Sequence, residues 1–263
     1  MSSYLNQPRI TSDEITAGLH ALGLRAGDLV HVHSSLKSLG HVVGGAEAVV
    51  DALLAVVAPG GTVMVPTFNH GAVEVFEVGI APSHNGAITE ALRRRRDAVR
   101  SIHPTHPYAA IGPLAEELME GHLQAGTFGV DSPLGRCGRL GGWVLLLGVG
   151  MNVNTSARIG ETMARVHCLG FGQFERRVRF PSGETIAAWS DMWRDGPCRI
   201  EWDALEQLMV QRGLITDGRI GMAQCRLTRC QDVVDCTFEL TKTLCPDCPT
   251  QPNPLWGRPS EPR

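Results

Sequence analysis

The sequence predicts an α/β fold, a single large domain with a mixed central sheet flanked by helices. Three observations predict it: short β-branched apolar runs alternate with stretches of helical periodicity, the first two such runs are joined through one helix, and the most apolar run, Trp143–Val149, has the composition of a strand buried on both faces.

The elements follow in order. Thr11 followed three residues later by Glu14 is a capping box, and Ile15, Leu19 and Leu22 recur at helical spacing before Gly23, which predicts a helix over Ser12–Leu22. Leu29–His33 reads as a buried strand and 34–45 as a loop. A helix over Ala46–Val57 ends at Pro59-Gly60-Gly61, and Thr62–Pro66 is the next strand, giving a parallel β-loop-α-β unit. Residues 70–85 lack periodicity, Gly86–Arg96 is helical with a basic end that suits its dipole, Val99–Ile102 is a strand and Ala115–Glu120 a short helix. Beyond the central strand, helices are expected over Ser156–Val166, Glu201–Arg212 and Arg229–Thr241, and strands over Phe174–Phe180 and Ile220–Leu227, some of these late strands antiparallel.

At 263 residues and 43% hydrophobic content the chain can bury a substantial core, so residues 1–248 read as one domain and the Pro-rich 249–263 as a loosely held tail. A formal charge of −3 gives no electrostatic case for nucleic acid, and a small ligand fits better. No apolar run approaches the roughly 20 residues that span a bilayer, and the polar start carries no leader-like segment, so the expected location is the cytoplasm, with no membrane partner. Eight cysteines then read as reduced thiols. Cys245-Pro-Asp-Cys248 has the spacing of half a zinc site but no placed partners, and no metal is assigned.

Three polar constellations interrupt this pattern. The loop after Leu29–His33 offers Ser34, Ser35, Lys37 and Ser38, then Gly44 and Gly45 before a helix N-terminus, groups that suit a phosphate; a Ser-rich turn satisfying its own backbone is the plain alternative. Arg100-Ser-Ile-His-Pro-Thr-His-Pro107 places His103 and His106 in extended backbone, as structural or ligand-positioning groups. Gly148–Ser156 follows the central strand, where substrate-facing groups sit in such folds, and Arg158 and Glu161, three apart on the next helix, can pair with each other.

In register over nearly the whole chain, the segments Val32–Gly40, Gly61–Phe68, Arg100–Pro104, Phe128–Arg136, Val144–Gly150, Asn154–Glu161, Ile220–Leu227 and Arg229–Asp235 resemble the aminoglycoside 3-N-acetyltransferases, a family distinct from the GNAT superfamily. The resemblance implies direct acetyl transfer from acetyl-CoA, as co-substrate, to the 3-amino group of a deoxystreptamine aminoglycoside, an antibiotic-resistance activity. It further implies that His33, Ser34, Ser35, Leu36, Lys37, Ser38, Gly44, Gly45, Thr67, Arg100, Ser101, His103 and Ser132 shape the acetyl-CoA cleft, and that Thr67 and Thr155 lie near the thioester. A homodimer is compatible with it.

The family's pattern N-T-x-x-H-x-x-E reads here Asn154-Thr-Ser-Ala-Arg158-Ile-Gly-Glu161, and an arginine cannot accept a proton at physiological pH. His33, His167 or Glu161 then stands as candidate base. The alternatives are an acyltransferase for another amine-bearing or anionic metabolite, in which Arg158 binds the acceptor, and a homologue that binds CoA or metal without aminoglycoside activity.

Overall fold

A computed structural model describes residues 8–70, 74–164, 171–193 and 202–244. The pairs Arg9–Ile10 (β1) and His41–Val42 (β3) form a small parallel ribbon, and the main sheet starts with Leu29–Ser34 (β2) and Thr62–Pro66 (β4). Val75–Glu77 (β5) is followed by Val99–Arg100 (β6), Tyr108–Ile111 (β7), Trp143–Leu147 (β8), Phe171–Arg179 (β9), Thr185–Trp193 (β10), Thr216–Ile220 (β11) and Ala223–Arg229 (β12). Seven of these make the central sheet in the order β11-β12-β8-β2-β4-β7-β6, while β10-β9-β5 form a separate three-stranded sheet.

The parallel unit β8-β2-β4 is the middle of the sheet, and each flank is extended by antiparallel strands. Helices cover both faces: Ser12–Leu22 (α1), Gly45–Val57 (α2), Ala87–Arg93 (α3), Ala115–Met119 (α4), His122–Ala125 (α5), Pro133–Arg139 (α6), Ala157–Ala164 (α7), Trp202–Gln211 (α8) and Cys230–Leu244 (α9). Because strand side chains alternate, Val30 and Val32 join Leu145, Leu147, Val63 and Val65 under α1 and α2, whereas Leu29, Met64, Val144 and Leu146 pack under α4, α6, α7 and α9. His31 and His33 share the second face, a position otherwise filled by apolar side chains.

Two expectations need correcting. The strand expected over Ile220–Leu227 begins only at Ala223, because Ile220 ends β11 and Gly221 turns the chain into a hairpin at φ +57, where a Cβ would meet the Leu39 carbonyl oxygen at 2.4 Å. The stretch 34–45 is not all loop: it holds a 3-10 turn over Leu36–Leu39 and the strand β3. The capping box at Thr11 is present, with Thr11 N–H donating to Glu14 at 2.8 Å and Glu14 N–H to the Thr11 hydroxyl at 3.3 Å. The four described cysteines, Cys137, Cys225, Cys230 and Cys236, are buried free thiols, while Cys245, Cys248, His167 and the Pro-rich tail lie outside the described residues. No helix among the described residues is long and apolar enough to cross a membrane, and no group of three or more potential metal ligands gathers among them.

Candidate active site

β2 and β8 are parallel neighbours, so the loops that leave them open at the same edge of the sheet. They are knitted together there. Ser35 N–H donates to the Leu147 carbonyl at 2.9 Å, and Ser38 Oγ lies 2.9 Å from both Ser35 Oγ and the Gly148 carbonyl oxygen. Gly148 is required for this approach: its φ is +72 and an added Cβ would sit 2.5 Å from Ser38 Cβ.

Around this joint is a cleft of about 510 Å³ lined by Lys37, Ser38, Gly148, Val149, Gly150, Met222, Ala223, Gln224 and Arg226. Lys37 is exposed along it, whereas Arg226 is already paired with Glu206 at 2.8 Å and Asp217 at 3.1 Å. Ser34 ends β2, and Leu36 is half-buried against the α1–α2 core. Gly44 and Gly45 adopt φ +84 and +63 at the start of α2, whose first turn receives no side-chain cap and so keeps N–H groups available to an anion.

Beyond β8 the chain makes a 3-10 turn, Met151–Val153, and then a turn in which Asn154 Oδ1 accepts from Ser156 N–H at 3.1 Å. That turn fixes Thr155, half-buried, against His33. Thr155 N–H donates to His33 Nε2 at 3.3 Å, and Thr155 Oγ1 stands 3.2 Å from the same nitrogen. A backbone N–H can only donate, so Nε2 is the unprotonated nitrogen of the ring. Burial pushes the His33 pKa down to about 3.

Behind it, His31 is fully buried, and neither of its ring nitrogens finds a hydrogen-bond partner among the described residues. Its ring meets His33 edge-on at 4.5 Å between centroids and Tyr108 at 5.6 Å. Tyr108 is buried too, its hydroxyl without a hydrogen-bond partner among the described residues, and burial raises its ionisation far above the usual phenol range. Phe68, His70 and His106 extend the aromatic layer away from Tyr108.

On the next helix Arg158 Nη1 donates to Glu161 Oε2 at 2.7 Å, and the guanidinium lies over the Trp202 ring at 5.4 Å. The pairing read from their three-residue spacing is present.

The remaining sequence-selected residues make their polar contacts with groups other than Thr155. Arg100 donates to Thr67 Oγ1 at 3.0 Å, to the Thr67 carbonyl at 2.8 Å and to the Ala81 carbonyl, while Thr67 Oγ1 donates to the Pro107 carbonyl at 2.9 Å. Burial lowers the Arg100 pKa to about 10, which still leaves it a cation. Ser101 Oγ accepts from Tyr108 N–H at 2.9 Å and contacts His122 Nδ1 at 2.9 Å. His103 Nδ1 accepts from the N–H groups of Thr105 and His106, and its ring stacks on His122 at 4.6 Å. Ser132 is the buried N-cap of α6, accepting from Gly135 N–H at 3.3 Å.

A second hollow of about 480 Å³ lies beside this histidine stack, lined by Arg100, His122, Phe180 and Ile186 together with Glu116, Glu117 and Glu120. Nothing in the sequence signals that these carboxylates share a cavity with the β9–β10 hairpin, which lies far along the chain. His31 is legible only as a member of an apolar run and Tyr108 not at all, because their roles depend on strand register.

The family model described as aminoglycoside 3-N-acetyltransferase matches residues 31–242. Aminoglycoside N(3)-acetyltransferase III of Salmonella sp. is 35% identical, the alignment covering 88% of this chain and 90% of that protein, and aminoglycoside N(3)-acetyltransferase VIII of Streptomyces fradiae is 31% identical over 86% and 89%. Among solved structures, aminoglycoside acetyltransferase AAC(3)-Xa superposes with a TM-score of 0.81 at 30% identity, over 89% of this chain and 93% of that one. A mutant of AAC(3)-IVa in complex with a gentamicin gives 0.79 at 27% identity, over 91% of both chains.

Proposed function

Because the chain belongs to the aminoglycoside 3-N-acetyltransferase family, we propose that it transfers the acetyl group of acetyl-CoA to the 3-amino group of a deoxystreptamine aminoglycoside. The observation that carries this reading is the junction of Ser38 with Gly148, which sets the hydroxyl- and lysine-bearing loop of β2 beside the Thr155 turn of β8. The diphosphate of CoA takes the charge of Lys37, the serine hydroxyls and the uncapped first turn of α2. The thioester then lies toward Thr155, whose hydroxyl and half-buried position suit it to contact the reacting atoms. The domain read from the sequence over residues 1–248 acts as the catalytic unit.

A second reading, an acyltransferase for an anionic acceptor, is motivated by Arg158. It is the weaker one, since the Arg158 charge is already matched by Glu161 at 2.7 Å and an anionic acceptor would add a second negative charge to the pair.

Thiol release from acetyl-CoA, measured with kanamycin-, gentamicin- and apramycin-type acceptors and with amines that carry a carboxylate, separates the two. Release with at least one aminoglycoside supports the first reading. Release confined to the carboxylate-bearing amines supports the second.

A further inference from the structure

Acetyl transfer to an amine needs a group that removes a proton from the attacking nitrogen. Arg158 stays protonated at working pH, and Glu161 Oε2 is held by it at 2.7 Å, which leaves the face of α7 without an available acceptor at that oxygen. Where β2 meets the turn before α7 the hydrogen-bond pattern is of another kind. His33 Nε2 carries no proton, because the Thr155 backbone N–H points at it, and Thr155 Oγ1 stands 3.2 Å from the same lone pair. Thr155 is half-buried, whereas His33 is 6% exposed.

We propose that Thr155 and His33 form a two-step proton relay, with Thr155 touching the acceptor amine and His33 acting through it as the positioning residue that stores the proton. The inference rests on the acetyl-transfer reading given above. The amine nitrogen attacks the thioester carbonyl carbon and the C=O π pair moves onto oxygen. A proton of the resulting ammonium adduct passes to Thr155 Oγ1 while the Thr155 hydroxyl proton passes to His33 Nε2. Collapse of the adduct re-forms C=O and breaks the C–S bond, and the stored proton returns through Thr155 to the CoA thiolate. Amide and thiol leave, and both side chains regain their starting states.

A buried, weakly basic imidazole suits this task. It stays neutral and receptive in the resting protein, and the adduct nitrogen, bearing a full positive charge beside an oxyanion carbon, is far more acidic than the free ammonium. His31 supports the geometry by packing edge-on against the His33 ring at 4.5 Å, which holds the imidazole in place behind Thr155.

The test combines variants with a spectroscopic readout on the full chain. His33→Gln keeps an oxygen that can accept from Thr155 N–H but cannot take up a proton, Thr155→Val removes the hydroxyl at constant shape, and Thr155→Ser restores it. Thiol release with a kanamycin-type acceptor should show kcat reduced about 100-fold in His33→Gln and Thr155→Val, with KM for acetyl-CoA within about threefold of the parent and Thr155→Ser recovering most of the loss. Nitrogen-15 NMR of histidine-labelled parent protein should find His33 Nε2 unprotonated and Nδ1 protonated from pH 6 to 8. Undiminished kcat in His33→Gln, or a protonated Nε2, overturns the relay alone. Parent protein that releases no thiol with any aminoglycoside overturns the acetyl-transfer reading and the relay with it.

Discussion

Arg158 and Glu161 stand one helical turn apart and share a hydrogen bond of 2.7 Å, in which the carboxylate is 2% exposed and the guanidinium 26%. The buried member of the pair is the acid, so the cost of breaking it falls mainly on Glu161. Arg158→Met should therefore lower unfolding stability by about 2 kcal/mol, the order of a lost charge-assisted hydrogen bond in a partly screened site. Urea unfolding at pH 7.5 reads this directly. A change below about 0.5 kcal/mol, the size of an ordinary surface substitution, would mean that solvent replaces the arginine without loss.

A set of inward-facing histidines gives the fold a defined acid sensitivity. Burial depresses the pKa of His33, His106 and His122 to about 3 each, and those of His31 and His103 well below 6.5. For such a group the unfolded chain binds the proton first. Its stability contribution is complete above about pH 6.5 and is lost as pH falls from there toward 3, at up to about 1.4 kcal/mol per pH unit for each histidine. Thermal unfolding midpoints should consequently be flat from pH 7 to 8 and fall steeply between pH 6.5 and 5. A midpoint that holds to pH 5 contradicts the assignment of these rings as neutral.

Gly148→Ala tests the junction of the two loops. The added Cβ collides with Ser38 Cβ at 2.5 Å, and φ +72 is strained for alanine, so the β2 loop must shift. A loss of about 1–3 kcal/mol in stability is expected, together with weaker acetyl-CoA binding by calorimetry. Retained stability with unchanged binding contradicts the close approach.

Lys37→Met removes the exposed cation of the cleft while leaving its stem. KM for acetyl-CoA should rise about tenfold, worth about 1.4 kcal/mol, with kcat little changed. The difference between parent and variant should shrink as salt is raised, since the lysine is solvent-exposed and its charge is screened. Equal KM values at low salt would place the diphosphate elsewhere.

Much of the scaffold is legible in the sequence because local signals and global structure agree. The Thr11 capping box and the Ile15, Leu19, Leu22 stripe fix α1, and the β-branched run Leu29–His33 fixes a strand whose alternate residues meet two different helical layers. Tyr108–Ile111 is hidden as a strand, being a short run directly behind two His-Pro pairs that dominate the pattern there. α6 is absent from the expected elements although Ser132 followed by Pro133 is a helix start in plain sight. The site is legible only in pieces. Arg158 pairs with Glu161 within one helix, so spacing suffices, but the contact of His33 with Thr155 joins residues 122 apart and depends on β2 and β8 being neighbours.

The neighbour relations of β8 also bear on how the protein is made. Its partner on one side, β2, precedes it, whereas its partner on the other, β12, begins only at Ala223. While the chain emerges from a ribosome, the β8 edge that will receive Cys225–Arg229 therefore stays bare, bordered by Leu145, Leu146 and Leu147. An unpaired apolar edge of this kind invites pairing between nascent chains, so translation halted before residue 223 should yield aggregates that a chaperone must hold, even though the Lys37 loop and the Thr155 turn have already been synthesised.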